Sequence, residues 1–169
     1  MKAILKINDK EIEIEITEKE LKKLEEKKLP RKRWRAKKGK KYWRIYGDGE
    51  IADVREINDI YADYNYSIGN YFKTIEEAEF HKNELIYTQM LKDYIYEHDD
   101  VELDWNNMSQ DKYYLLYNFC NEEIDYYAGT GWTFKIQGTI YTSNLQVLKD
   151  AVKFIGEENV KKYILKVEE

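Results

Sequence analysis

Alternation of apolar and charged residues opens the chain. In residues 11–16, EIEIEI, isoleucine alternates with glutamate, which is the period-two pattern of a strand with one buried face. Residues 3–7 form an earlier apolar run, and Asn8-Asp9 between the two runs favours a tight turn. We therefore predict an N-terminal β-hairpin.

Three short motifs predict where helices begin. Thr17, Thr74 and Ser143 are each followed three residues later by Glu or Gln, a spacing in which the two side chains satisfy free amides at a helix start. The predicted helices run to about residue 28, over about 24 residues from position 75, and to about residue 155. Pro30 ends the first helix and Gly156 ends the last.

Tyrosine-rich runs between the helices predict strands. Residues 41–46 and 50–54 flank Gly47-Asp48-Gly49, whose glycines accept the positive φ of a hairpin turn. We expect an irregular excursion or a poorly formed strand over 55–68 and a return to the sheet over 68–72. Three or four further strands are predicted over 112–119, 123–129, 133–138 and 139–142, and residues 157–167 predict a short closing helix or strand.

Apolar positions in the long helix predict the side of it that is buried. The spacing i, i+3, i+4, i+7, i+8 lays one apolar stripe along a helix, and it is met by Tyr87, Met90, Leu91, Tyr94 and Ile95. This stripe indicates a face that packs against the rest of the chain.

Two parts of the chain look like copies of each other. Residues 69–74 line up with 138–143 at an offset of 69, and residues 41–46 line up with 112–117 at an offset of 71. Chance similarity between Tyr-rich strands is the alternative. We predict an α+β fold with an N-terminal hairpin and helix and two related strand-rich units, each followed by a helix. The predicted boundaries are 1–28, a basic linker or arm at 29–41, and units at 42–105 and 106–169.

The start of the long helix resembles a module of small phage and prophage accessory proteins of low-GC bacteria. The pattern is GNxFxTxEEA, and the matching residues are Gly69, Asn70, Phe72, Thr74, Glu76, Glu77 and Ala78. Residues 137–143 and 155–165 also resemble the tails of such proteins. The resemblance implies a mobile-element accessory protein, for which inhibition of host defence, as by anti-CRISPR proteins, is an expected class. It assigns no individual functional residue.

Composition predicts a globular, soluble chain. Of its residues 43% are apolar, and 16 Tyr, 5 Phe and 4 Trp supply surface to bury. No run approaches the roughly 18 apolar residues of a membrane span, and charges interrupt the start, where a signal peptide would have an apolar core. The single cysteine, Cys120, excludes an internal disulfide. We expect the protein in the cytoplasm of the host cell.

Charge is distributed unevenly along the chain. Residues 27–41 contain ten Lys or Arg and no acid; the chain carries 28 cations and 33 acids, so the other 154 residues hold 18 against 33, a net of −15. Such asymmetry favours a polyanion partner for the basic segment. The predicted nucleic-acid contacts are Arg31, Lys32, Arg33, Trp34, Arg35, Lys37, Lys38, Lys40 and Lys41. An acidic protein surface, or a linker without any partner, are the alternatives.

Candidate chemistry is sparse. Cys120 ends an apolar run and is expected to be buried, and His81 is expected to face solvent. Gly129-Thr130-Gly131 lacks the features of a phosphate-binding loop and favours a hairpin turn. A solvated acidic turn after the long helix offers a weak negative patch for a partner, formed by Glu97, Asp99, Asp100, Glu102 and Asp104. No metal, cofactor or catalytic residue is predicted.

These observations rank three functions. The first is a non-enzymatic, phage-type inhibitor that binds a host effector protein or ribonucleoprotein, as an anti-CRISPR protein would, through its acidic body and basic arm. The second is a small regulator that binds RNA or DNA directly. The third is a structural or oligomerising adaptor. The sequence leaves open which effector is bound and which oligomeric state the protein adopts.

Overall fold

The computed structural model of the protein describes residues 2–7, 10–15, 17–19, 33–129 and 135–167. The chain divides into two compact units, residues 1–35 and 36–169. In the first unit, β1 (Lys2–Ile7) pairs antiparallel with β2 (Lys10–Glu15), with Leu5 opposite Ile12. The predicted N-terminal hairpin is confirmed.

The described part of the second unit contains two further hairpins and five helical segments. The helical segments are three α-helices, a single α-helical turn and a π-helix, and the strands form two separate two-stranded antiparallel sheets. In chain order the bounds are β3 Lys41–Ile45, β4 Ile51–Arg55, α1 Ile60–Ser67, α2 Ile75–His98, β5 Tyr113–Asn118, β6 Glu123–Ala128, α3 Leu145–Ile155, α4 Glu157–Asn159 and the π-helix Val160–Ile164. The predicted α+β fold is confirmed.

The turn between β3 and β4 forms where the glycines predict it. The Gly49 N–H donates to the Tyr46 carbonyl at 2.9 Å, and the Tyr46 N–H donates to the Glu50 carbonyl at 2.8 Å. Gly49 has a φ of +83°, a left-handed conformation that glycine adopts without steric cost.

The excursion expected over 55–68 is wrong, because this segment contains helix α1. Its N-cap is Asp59, whose carboxylate accepts the Ala62 N–H at 2.8 Å. Ala62 and Asn65 are buried, and Asn65 Nδ2 donates to the Tyr42 hydroxyl at 3.3 Å. Tertiary contacts therefore stabilise a helix in a segment whose Asp, Asn and Tyr content gives it low intrinsic propensity.

The long helix α2 begins and ends as predicted. The Thr74 hydroxyl accepts the Glu77 N–H at 3.2 Å, while the Glu77 carboxylate reaches one residue further back and accepts the Lys73 N–H at 2.8 Å. Leu91 and Ile95 from its apolar stripe are buried in the main core, and Tyr87, Met90 and Tyr94 pack against it. The predicted stripe is confirmed.

Helix α3 supplies the centre of that core, where Leu148 and Ala151 are fully buried. Its predicted end is confirmed, because Gly156 has a φ of +91° and its N–H donates to the Val152 carbonyl at 2.9 Å. Its predicted start is corrected by one residue. The N-cap is Asn144, whose side chain accepts from Gln146 and Val147, while the Ser143 hydroxyl donates to Asp99.

The segments before the two capped helices meet the hairpins through single bridges instead of strands. Trp43 pairs with Phe72, and Tyr113 pairs with Thr142. Residues 135–141 form no strand, and the strand predicted over 139–142 is replaced by the bridge at Thr142. Both members of the second bridge lie 70 residues after those of the first (113 − 43 and 142 − 72). The N-caps Thr74 and Asn144 keep the same spacing.

Several predictions fall wholly or partly outside the described residues. They are the turn at Asn8-Asp9, the first helix beyond residues 18–19, its end at Pro30, the cations before Arg33, the turn at Thr130-Gly131, and the strand start at 133–134. Among the helices that the structure describes, none is long and apolar enough to cross a membrane.

Candidate nucleic-acid interface

The basic segment includes a turn that hydrogen bonds hold in place. Ala36 is buried, and its N–H donates to the Tyr71 hydroxyl at 3.2 Å. The Lys40 N–H donates to the Lys37 carbonyl at 2.9 Å, the Gly39 N–H to the Glu56 carbonyl at 2.7 Å, and the Glu56 N–H to the Lys40 carbonyl at 2.9 Å. We call residues 36–40 the anchored turn.

Beneath the anchored turn lies a buried polar network. Glu56 is fully buried, and its carboxylate accepts the Tyr71 hydroxyl and the Asn58 N–H, both at 2.7 Å. The Tyr71 ring stacks on Tyr42 with centroids 3.8 Å apart and planes 8° from parallel. Buried polar groups that are hydrogen-bonded in this way specify one arrangement. The network fixes the backbone from which the lysines project.

Three lysines of the anchored turn are exposed: Lys37, Lys38 and Lys40. Within the described part of the chain, none of them forms an ion pair. Lys41 begins β3, and its Nζ lies 2.7 Å from Asp53 Oδ2. The hydrogen bond from Lys41 lowers the pKa of Asp53. The charge of Lys41 is therefore partly neutralised by Asp53, and Lys37, Lys38 and Lys40 carry the positive charge of the anchored turn.

The residues just before the turn differ in exposure. Arg33 and Trp34 are exposed and Arg35 is half-buried. Arg31 and Lys32 lie outside the described residues. Arg33, Trp34 and Arg35 directly precede the anchored turn in the chain.

The acidic cluster at the end of α2 and just after it separates into two kinds of residue. The Asp99 carboxylate accepts the Ser143 N–H at 2.7 Å, the Ser143 hydroxyl at 2.6 Å and the Thr142 hydroxyl. Burial raises the pKa of Asp99, but these hydrogen bonds outweigh it and lower the pKa overall. Asp99 thus joins the end of α2 to the segment before α3. The exposed members are Glu97, Asp100, Glu102 and Asp104, and their partner-binding role stays a prediction.

Two expectations about reactive side chains are corrected. Cys120 is exposed, because β5 ends at Asn118 and residues 119–122 form a turn, in which the Cys120 N–H donates to the Asn118 side chain at 3.0 Å. His81 is half-buried: its ring lies 5.3 Å from the Phe72 ring, and its Nδ1 lies 3.3 Å from a Glu84 oxygen.

The sequence did not predict an open groove of about 1110 Å³ on the second unit. Its rings come from α2, β5, the turn after β5 and the π-helix, and they are Phe80, Tyr117, Phe119 and Tyr163. We call this the aromatic groove. Phe80, Tyr117 and Tyr163 lie 37 and 46 positions apart in the chain, so no local pattern marks the groove. Phe119, predicted to end the strand over 112–119, instead lies in the turn after β5.

The described residues contain no group of three or more His, Cys, Asp or Glu placed to hold a metal ion. Comparisons of the chain with protein-family models, with curated proteins and with solved structures found no match.

Proposed function

We propose that this protein is a non-enzymatic inhibitor that binds a nucleoprotein of bacterial host defence, an anti-CRISPR-like role, and that its basic segment contacts the nucleic acid of that target. The negative body contacts basic protein surface of the same target. The resemblance of residues 69–78 to phage accessory proteins motivates the class of target, and the charge distribution motivates the mode of binding.

The anchored turn is the observation that carries this proposal. A linker without a partner has no need of fixed geometry, yet residues 36–40 are bonded to Tyr71 on one side and Glu56 on the other. Lys37, Lys38 and Lys40 therefore project from an ordered backbone. Binding by an ordered segment avoids part of the entropy cost of association, and lysines neutralise phosphates with release of counterions.

The net charge outside the basic segment favours a nucleoprotein over a bare duplex. A body of net −15 repels a long duplex wherever the basic segment does not touch it. In a nucleoprotein channel the same acids face the lysines and arginines with which the target holds its own nucleic acid. The proposal thus assigns a use to both signs of charge.

The test uses charge reversal with a matched control. In one variant Lys37, Lys38 and Lys40 are changed to Glu; in the control the same change is made at Lys73, Lys92 and Lys153, which are also exposed. Both variants change the net charge equally. Inhibition of purified RNA-guided nuclease complexes is measured for each, with unfolding curves to show that both fold.

We expect the wild type and the control to inhibit at least one class of complex, and the turn variant to lose most inhibition. Equal inhibition by the turn variant and the wild type would remove the role given to the turn. If no class of complex is inhibited by the wild type, the inhibitor proposal is wrong.

A second candidate, direct binding of RNA or DNA as a regulator, is favoured by the sequence of the basic segment, in which Trp34 lies among ten Lys and Arg residues. A stacked base contributes about 1–3 kcal/mol to such binding. Fluorescence anisotropy with free single strands distinguishes it, because a regulator binds them tightly without the target protein. For such a binder, loss of three phosphate contacts makes the negative slope of log affinity against log salt shallower by about 2.

A further inference from the structure

We propose that the aromatic groove binds unpaired bases of a single-stranded nucleic acid, as a contact site separate from the anchored turn. Nucleic acid is the ligand of both the anchored turn and the aromatic groove. The turn binds it through charge alone, whereas the groove binds it through base stacking as well as charge.

The groove combines a ring that its neighbours hold in place with a ring that is largely exposed. Tyr163 stacks on Tyr87, with centroids 5.0 Å apart, and lies 5.4 Å from Phe80. Neighbouring rings thus hold its orientation. Phe119 lies edge-on to Tyr117 at 4.9 Å and is 78% exposed. The fold leaves the Phe119 ring largely in water, whereas a base stacked on it removes one face of the ring and one face of the base from water.

A π-helix forms one wall of the groove. At the end of the π-helix Val160–Ile164, the N–H of the C-cap Leu165 donates to the Val160 carbonyl, five residues back, at 2.9 Å. Such turns are rare and occur frequently at functional sites. Here the π-helix places Lys161, Lys162 and Tyr163 along the groove while Val160 stays fully buried. The wall therefore supplies cations and a ring from adjacent positions.

One lysine of the groove has no ion-pair partner among the described residues. Three lysines and two glutamates line the groove. Lys161 Nζ lies 2.9 Å from a Glu157 carboxylate oxygen and 3.7 Å from one of Glu158, and Lys166 Nζ lies 2.7 Å from one of Glu84. Lys162 is exposed, sits 5.4 Å from the Tyr163 ring centroid, and forms no ion pair with any described residue. It is the cation placed to meet a phosphate next to a stacked base.

The second glutamate of the lining limits the ligand. Glu122 lies in the turn after β5, three residues after Phe119 in the chain, and both residues line the groove. A carboxylate at this position disfavours a densely charged duplex, in which phosphates approach from every side. A single strand can instead place its bases on the rings and a phosphate near Lys162, so we commit to an unpaired strand and treat an acidic peptide as an alternative outcome.

The experiment measures binding of a fluorescent ten-nucleotide uridine strand to the full chain, beside an abasic strand of equal length. Two groove variants, Phe119→Ala and Lys162→Glu, are compared with Tyr96→Ala and Lys92→Glu, which alter an aromatic that is 89% exposed and an exposed lysine on α2. We expect Phe119→Ala to weaken binding of the uridine strand about 5- to 150-fold. It should leave binding of the abasic strand unchanged. Lys162→Glu should weaken binding of both strands, and the controls neither.

The same variants are also measured with Lys37, Lys38 and Lys40 changed to Glu, which keeps this inference apart from the proposed function. A groove site predicts that the Phe119 effect persists in that background. If Phe119→Ala and Lys162→Glu bind like the wild type, or if the abasic strand binds as well as uridine, the groove is not a base-binding site. Binding of an acidic peptide in place of either strand also overturns it. Inhibition of a nucleoprotein through the turn would survive any of these results.

Discussion

Two halves of the second unit share one connection and stabilise it differently. In each half a hairpin strand bridges once to the segment before a capped helix, at Trp43–Phe72 and at Tyr113–Thr142. The first half buries a small cluster of Ala36, Tyr42 and Tyr71 above the Glu56 carboxylate. The larger cluster is shared: α3, β5, β6 and the π-helix of the second half pack against α2 of the first half and bury ten residues around Leu148.

The larger cluster mainly determines the stability of the fold, and the smaller one determines the geometry of the anchored turn. Aliphatic burial is non-directional and scales with area, so the second core contributes most of the free energy of unfolding. A stacked, hydrogen-bonded tyrosine pair contributes less but restrains geometry, and it lies directly under the anchored turn. Substitutions in the two clusters should therefore affect different measurements.

The largest effect is expected in the aliphatic core. Leu148→Ala leaves a cavity beside fully buried neighbours, and we expect the free energy of unfolding to fall by about 2–5 kcal/mol. Urea denaturation followed by circular dichroism measures it. Phe154→Ala, on the same helix but 64% exposed, is the control and should change stability little. Equal losses from both variants would contradict the position of the core.

A smaller effect is expected in the tyrosine cluster. Tyr71→Phe removes the hydroxyl that joins the Glu56 carboxylate to the Ala36 N–H, and we expect a loss of about 1–3 kcal/mol. Tyr42→Phe removes one bond, at 3.3 Å to Asn65, and should cost less. Amide hydrogen exchange of residues 36–40 should rise in the Tyr71 variant only. Unchanged exchange there would show that the hydroxyl does not hold the turn.

The smallest effect concerns Asp99 and depends on pH. Because hydrogen bonds hold the pKa of Asp99 below its unfolded value, its stabilisation is present above about pH 3.9 and is lost as pH falls through the folded pKa. We expect Asp99→Asn to destabilise the protein at pH 7 by about 1 kcal/mol and by less at pH 3. Denaturation at both pH values measures it, with the exposed neighbour Asp100→Asn as control. A larger loss at pH 3 would reverse the assigned sign.

Local patterns predicted the elements that local physics determines. The hairpin turn at Gly49, the cap at Thr74 and the end of α3 at Gly156 follow from side chains within a few residues. The predicted apolar stripe of α2 is also confirmed, because the spacing that puts residues on one face of a helix does not depend on which element packs against that face. What failed was set by distant contacts: α1 depends on Asn65 reaching Tyr42, and the segment before α3 is held by Asp99.

The sequence predicted the positive charge of the candidate nucleic-acid interface but not the hydrogen bonds that position it. The density of lysines in 27–41 identifies a basic segment, but the bonds of Ala36 to Tyr71 and Gly39 to Glu56 join residues 35 and 17 positions apart. No period or motif encodes those pairs. The pairing of Lys41 with Asp53 depends likewise on the register of β3 with β4, and the aromatic groove depends on three separated segments of the chain.

Contact between the anchored turn and nucleic acid inside an inhibited complex is the central claim, and photo-cross-linking tests it most directly. A photoreactive phenylalanine analogue replaces Lys38 in one variant and Lys153 in another, both exposed positions. After irradiation of each variant bound to an RNA-guided nuclease complex, we predict protein–nucleic acid adducts from position 38 and none from position 153. Adducts only to the target's protein from position 38, with inhibition intact, would contradict the account.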